Sequence, residues 1–194
     1  MQKLTRADLL PLERYAAERV QFRARAITHK RARTLHLGEH ATLLFEDRLT
    51  VQYQVQEMLR VERIFEAAGI DEELAAYNPL IPDGGNWKVT LLIEYPDPEV
   101  RKVQLERLRG IEDRCWVRVA GFDRVFAIAD EDLERENEIK TSAVHFLRFE
   151  LGDGMVAALR GGAALGAGID HPNYRHELAV LPGNVRDALL ADLA

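Results

Sequence analysis

Cysteine is almost missing from this 194-residue chain: Cys115 stands alone, so an internal disulfide and a cysteine-rich metal or iron–sulfur site are both excluded. No run of 18 apolar residues exists, which excludes a membrane-spanning helix. The N-terminus MQKLTRADLL lacks the apolar core of a signal peptide and carries an acid at Asp8. A soluble cytoplasmic protein is the expectation. Signatures of familiar chemistry are absent too. There is no G-x-S-x-G elbow, no GK[ST] after the glycines at 161–168, no H-E-x-x-H, and no Glu-x-x-His of the kind that di-iron bundles use.

Positive charge is scarce over most of the length. The net charge is −6, yet residues 1–33 hold nine Lys/Arg against three Asp/Glu, a net of +6, so the remainder carries −12. Such an acidic bulk repels a polyanion, and nucleic acid is not expected as a partner. The stretch DEDLEREN, 130–137, lacks the turn glycine and ligand spacing of an EF-hand and reads as a solvated acidic segment or a partner for the basic first helix.

A hydrophobic fraction of 47% is ample for a core, and the length suits one domain, 1–194, with a helical part over 1–77, a sheet part over 87–182 and a C-terminal helix over 183–194. Thr5 with Asp8 resembles a capping box, and Pro11 suits the first turn of a helix running to Arg33. Leu12, Ala16, Val20 and Ile27 mark its apolar face; Arg19, Arg23, Arg25, Lys30 and Arg31 mark a solvated one. Gly38 interrupts. Phe45 to Ala68, free of Gly and Pro, reads as one long central helix, with Gly69 as its C-cap. Leu44, Val51, Val55, Met58, Leu59 and Phe65 form one apolar face and Leu49, Ile64 and Ala67 another, which suits a helix enclosed on most sides. Between them runs a polar row, Glu46, Thr50, Tyr53, Glu57 and Arg60, expected as a hydrogen-bond ladder against a sheet.

Further on, 71–77 reads as a short helix and NPLIPDGGN, 78–86, as a loop with a tight turn at Asp83-Gly84-Gly85. Strands are expected at 87–95, 114–120, 124–129, 142–151, 163–169 and 177–181, and helices at 99–109, 153–160 and 185–194, with 130–140 a charged helix or loop. Helices first and strands later give an α+β fold, N-terminal helices on a mostly antiparallel sheet of about five or six strands.

Metal ligands are sought among the histidines and the helix acids. Glu46 and Glu57 are eleven residues apart, about 16 Å along a helix, too far to share one ion. A site between central helix and sheet would join them to His145, on a strand, or to His171 and His176, flanking the HPNYRH turn, and would take iron or zinc. Cys115 reads as a small buried hydrophobe.

The stretches LLFEDRLTVQYQVQEMLRVERIFE, AYNPLIPDGG, TLLIEYPD, AIADEDLERENEIKTSAVHFLRFEL and GIDHPNYRH resemble the bacterial family known as domain of unknown function 3501, over nearly the whole chain. The resemblance assigns no catalytic residues. Its members are often encoded beside rubrerythrin-like and iron–sulfur oxidoreductase proteins, which implies an accessory or protein-interaction role in an iron or oxidative-stress system, with such a protein, or a second copy of the chain, as partner. The other expectation from the residues is a metal-dependent enzyme or metal-binding protein.

Overall fold

A computed structural model describes residues 2–131 and 140–194. The chain runs α1 (Leu12–Lys30), β1 (Thr34–Leu37), β2 (Ala41–Glu46), α2 (Arg48–Val61), α3 (Ala67–Tyr77), β3 (Asn86–Ile93), α4 (Pro98–Arg107), β4 (Cys115–Val119), β5 (Val125–Phe126), β6 (Ile128–Ala129), β7 (Val144–Glu150), α5 (Asp153–Arg160), β8 (Leu165–His171), β9 (Tyr174–Leu178) and α6 (Gly183–Leu190). Short 3-10 turns stand at Arg6–Asp8, Asn78–Leu80 and Glu112–Arg114. The fold is α+β. The strands form two sheets, β1-β2-β3-β7-β6 and β5-β4-β8-β9, with antiparallel pairing between all described neighbours.

The five-stranded sheet is buried on both faces. Its inner residues, among them Leu43, Phe45, Trp87, Val89, Leu91, Leu147 and Phe149, pack against Val117, Leu165, Ala167 and Ile169 of the second sheet. Its outer face carries Phe146 against a smaller core of Val51, Val55, Leu59, Leu74 and Leu80 from the helices and the Asn78–Leu80 turn. The order is helices, sheet, core, sheet, with α4, α5 and α6 contributing Leu105, Val156 and Leu189 to the rim of the inter-sheet core.

The stretch 45–68 departs from the single helix expected. Phe45 and Glu46 end β2, and α2 starts only after Asp47. The reason is a capping box: Thr50 N donates to Asp47 Oδ1 (2.9 Å) and Asp47 N to Thr50 Oγ1 (2.9 Å), a stronger start signal than the apolar periodicity that runs through it. The other end breaks at Arg63, whose φ of 55° is left-handed, and Gly69 lies inside α3 rather than capping its predecessor. From Arg48 to Leu59 no residue of α2 is exposed, as an enclosed helix requires.

On α1 the apolar phase also differs. Tyr15, Phe22 and Ala26 are buried, while Val20 is 78% exposed. The aromatic rings dominate the burial area, with Tyr15 edge-on to Phe22 at 5.7 Å and Phe22 stacked on Tyr53 at 6.2 Å. That rotation turns Arg19 inward. Beyond α1 the strand pair β1–β2 lies between the two expected helices, within the 1–77 part expected to hold no strands, and 124–129 is divided between the sheets, β5 in one and β6 in the other. The charged stretch 130–140 lies outside the described residues except for Asp130, Glu131 and Lys140.

Candidate metal centre

The chemistry-bearing side chains fall on opposite faces of the five-stranded sheet. On the helix-facing side, Glu46 is fully buried and accepts from Thr90 Oγ1 (2.6 Å), Gln54 Nε2 (3.3 Å) and Thr50 Oγ1. Three hydrogen bonds, two of them from α2, offset the desolvation of a carboxylate that has no cation in contact among the described residues. Part of the expected polar ladder is therefore present, but Glu46 belongs to β2 and the ladder continues through Gln54. Glu57 turns instead to α1, where it accepts from Tyr15 OH (2.5 Å) and from Arg19 Nε and Nη2 (2.8 and 2.7 Å). The Arg19 hydrogen bond holds the Glu57 carboxyl below its usual range, and burial with the same carboxylate raises the Tyr15 phenol. Tyr53 stacks on Phe22, and Arg60 is exposed.

A second buried network joins α1, β2 and α6. Arg33 is 2% exposed and donates to the Phe45 and Glu46 carbonyls (2.9 and 3.2 Å) and to Asp192. Asp47 lies 3.5 Å from Arg33 and 2.5 Å from His29 Nε2. Burial pushes the Asp192 carboxyl up to about 6, against the opposing pull of Arg33.

The histidines do not meet the helix acids. His171 is buried with Nε2 2.9 Å from the Arg109 carbonyl and Nδ1 accepting from Asn173 N (3.2 Å), so backbone groups occupy both nitrogens. His176 lies against Tyr174, ring centroids 4.7 Å apart, at the β1–β2 turn. His145 shares the inward face of β7 with Leu147 and Phe149, on the far side of the sheet from α2.

His145 has other company there. Its Nδ1 lies 2.6 Å from Asp130 Oδ2, and its Nε2 lies 2.9 Å from Thr141 Oγ1 and 3.8 Å from Glu112 Oε2. Thr141 Oγ1 also donates to Glu112 Oε2 (3.4 Å). His145 is fully buried, and Glu112 and Thr141 nearly so. One ligand atom from each of Glu112, Asp130 and His145 lies within 4.8 Å of the others, the single such group among the described residues. It is built from three places in the chain: the 3-10 turn before β4, the residue after β6, and the second residue of β7. Asp130 holds a left-handed φ of 47°, which aspartate tolerates. It is clamped to Phe146 by exchanged bonds, N to O at 2.8 Å and Phe146 N to Asp130 Oδ1 at 3.0 Å.

Glu112 and Asp130 were not among the ligands that histidine spacing suggests. The pairing of β6 with β7 brings Asp130 in: Ile128 faces Arg148 and Ala129 faces Leu147, so the next position faces Phe146, beside His145. That signal lies in the hairpin register of two stretches read as strands. Glu112 carries none, because only the approach of the second sheet brings it near.

With the site in view, comparison with other proteins decides the family. The family described as "Protein of unknown function (DUF3501)" matches residues 3–193. The chain belongs to the DUF3501 family. Among solved structures, this DUF3501 chain is similar to a crystal structure of a novel protein of unknown function from Burkholderia pseudomallei K96243, at 53% identity, with 100% of each chain covered and a TM-score of 0.95. Among curated proteins nothing matches.

Proposed function

We propose that this DUF3501 protein binds one divalent transition-metal ion through Glu112, Asp130 and His145 and acts as an accessory factor in an iron-linked redox system. The observation that carries the reading is the convergence of three ligand-competent side chains, mostly buried, from three separate segments. One imidazole and two carboxylates suit iron(II), manganese(II) or zinc, and the absence of thiolate disfavours copper(I). The single Cys115 is buried, its thiol pushed up by that burial, so an iron–sulfur cluster would belong to a partner. The iron association rests on the genomic neighbourhood that the family resemblance implies. Elemental analysis of untagged protein, as purified and after anaerobic iron(II), manganese(II) or zinc loading, tests the site: about one ion per chain is expected, lost in Glu112→Gln and His145→Asn. Failure of all three metals to bind above background sinks the reading.

A second reading, an interaction protein that self-associates, rests on α1. Glu13, Ala16, Ala17, Val20, Ala24, Ile27 and Arg31 recur on one side of the helix at about 100° per residue, and all are exposed. The stripe has an acid at one end and a base at the other, and neither is ion-paired within the chain among the described residues. An antiparallel pair of such helices sets Glu13 against Arg31 of the partner subunit and Val20 against the partner's Ala24. Analytical ultracentrifugation is expected to give a dimer that Val20→Glu with Ile27→Glu dissociates. A monomeric wild type at 100-micromolar order removes the basis for it.

A further inference from the structure

A cleft of about 360 Å³ opens on the helix-facing side of the five-stranded sheet, away from the metal cluster. Its floor is Lys88 of β3 with Phe146 and Arg148 of β7; its walls are Met58 of α2, Ala76 and Tyr77 of α3 and Leu80. That volume lies in the range of small-molecule sites. At about 30 Å³ per atom it admits roughly a dozen non-hydrogen atoms.

The charges within the cleft are unequal in their commitments. Arg148 is engaged: both Glu131 oxygens lie 2.8 Å from its Nε and Nη2, and Glu150 takes Nη1. Lys88 is not. It faces Glu46 on one neighbouring strand and Arg148 on the other, but the Glu46 oxygens are taken by Thr50, Thr90 and Gln54. Among the described residues the Lys88 ammonium has no hydrogen-bond or ion-pair partner. Glu131 and Asp83 favour its charge only through space, while burial, with Arg148 behind it, lowers its pKa. Glu73 is the other acid on the rim and lies by Tyr77. A half-buried ammonium beside Met58, Leu80 and Phe146 is short of one anion and adjoins an apolar wall.

We propose that this cleft binds a small amphipathic carboxylate, its head on Lys88 and its apolar body along Met58, Leu80 and Phe146. Eight to twelve non-hydrogen atoms is about the size that fits. None of the three proposed metal ligands lines the cleft, although Phe146 is bonded to Asp130 through its backbone.

Calorimetric titration of the full chain with octanoate and with octanol, the same length without the charge, tests the assignment. Octanoate is expected to bind one site per chain at least tenfold more tightly than octanol. Lys88→Met keeps the aliphatic stem and is expected to erase that preference without lowering the unfolding midpoint. Equal binding of the two ligands, no octanoate binding at millimolar concentration, or an unchanged preference in Lys88→Met overturns it. If Lys88→Met does not fold, Ala76→Trp decides: it fills the wall and must block octanoate, and undiminished binding in that variant equally overturns the proposal.

Discussion

His145 Nδ1 stands 2.6 Å from Asp130 Oδ2, across fifteen residues of sequence, with the imidazole sealed from solvent. Asp130 serves two donors at once, because its other oxygen accepts from Phe146 N. Asp130→Ala removes the carboxylate beside His145 Nδ1 and the Oδ1 to which Phe146 N donates, while His145 Nε2 keeps the Thr141 hydroxyl and the Ser142 carbonyl (2.9 and 3.1 Å), and is expected to cost about 2–4 kcal/mol in urea unfolding. A cost below about 0.5 kcal/mol would mean that the contact holds nothing. Metal is expected to discriminate further. Zinc or manganese is expected to raise the melting temperature of the wild type, since a ligand that binds only the native state stabilises it, and to leave Asp130→Ala unmoved.

Glu46 ties α2 to β2 and β3 through three donors. Glu46→Ala removes an acceptor from all three, with the Thr50 hydroxyl keeping the Asp47 carbonyl (3.1 Å), and is expected to cost about 3 kcal/mol, whereas Thr90→Val removes one bond and costs about 1–2 kcal/mol. The double-variant cycle should return a coupling of about 0.5–3 kcal/mol. Strict additivity would show that Thr90 and Glu46 act independently.

Asp192 is expected to make a contribution to stability that falls with rising pH. Its carboxyl is raised to about 6 in the folded state, so the native state binds that proton more tightly than the unfolded chain. The contribution is complete below the unfolded value near 4 and is lost as pH rises through about 6. A carboxyl raised that far holds its proton about 3 kcal/mol more tightly in the folded protein than in the unfolded chain. Asp192→Asn cannot titrate. The stability of the wild type minus that of Asp192→Asn should therefore decrease by an amount of that order between pH 4 and 7.5. A difference that is flat or rising with pH contradicts the assignment.

Gly38 turns β1 into β2 at a φ of 76°, and a Cβ placed there would lie 2.7 Å from both His176 Nε2 and Tyr174 OH. Tyr174 OH is committed, donating to the Leu37 carbonyl (2.6 Å) and accepting from His40 N (3.0 Å), so it does not yield readily. Gly38→Ala combines a left-handed backbone with this clash and is expected to lose about 1–3 kcal/mol by thermal unfolding. Near-neutrality would show that the hairpin can shift away from β9.

Local and periodic features were legible in the sequence. The α+β class, the strands at 87–95 and 142–151, the helix at 153–160 and the turn at 83–85 follow from period, β-branching and turn chemistry, which act between near neighbours. Residues 45–47 were not. Phe45 satisfies a helix period and a strand alternation equally, and its partners Val89 and Arg33 lie in distant elements. The phase of α1 was decided likewise, since Glu57 across the helix pair draws Arg19 inward and leaves Val20 outside. His145 was identifiable as a strand histidine among candidate ligands, but its neighbours Glu112 and Asp130 come from a turn and a strand end that carry no ligand spacing. Sequence sets which face of a short segment is apolar. Only the stacking of two sheets determines which polar groups are left inside together, because that depends on contacts between residues far apart in the chain.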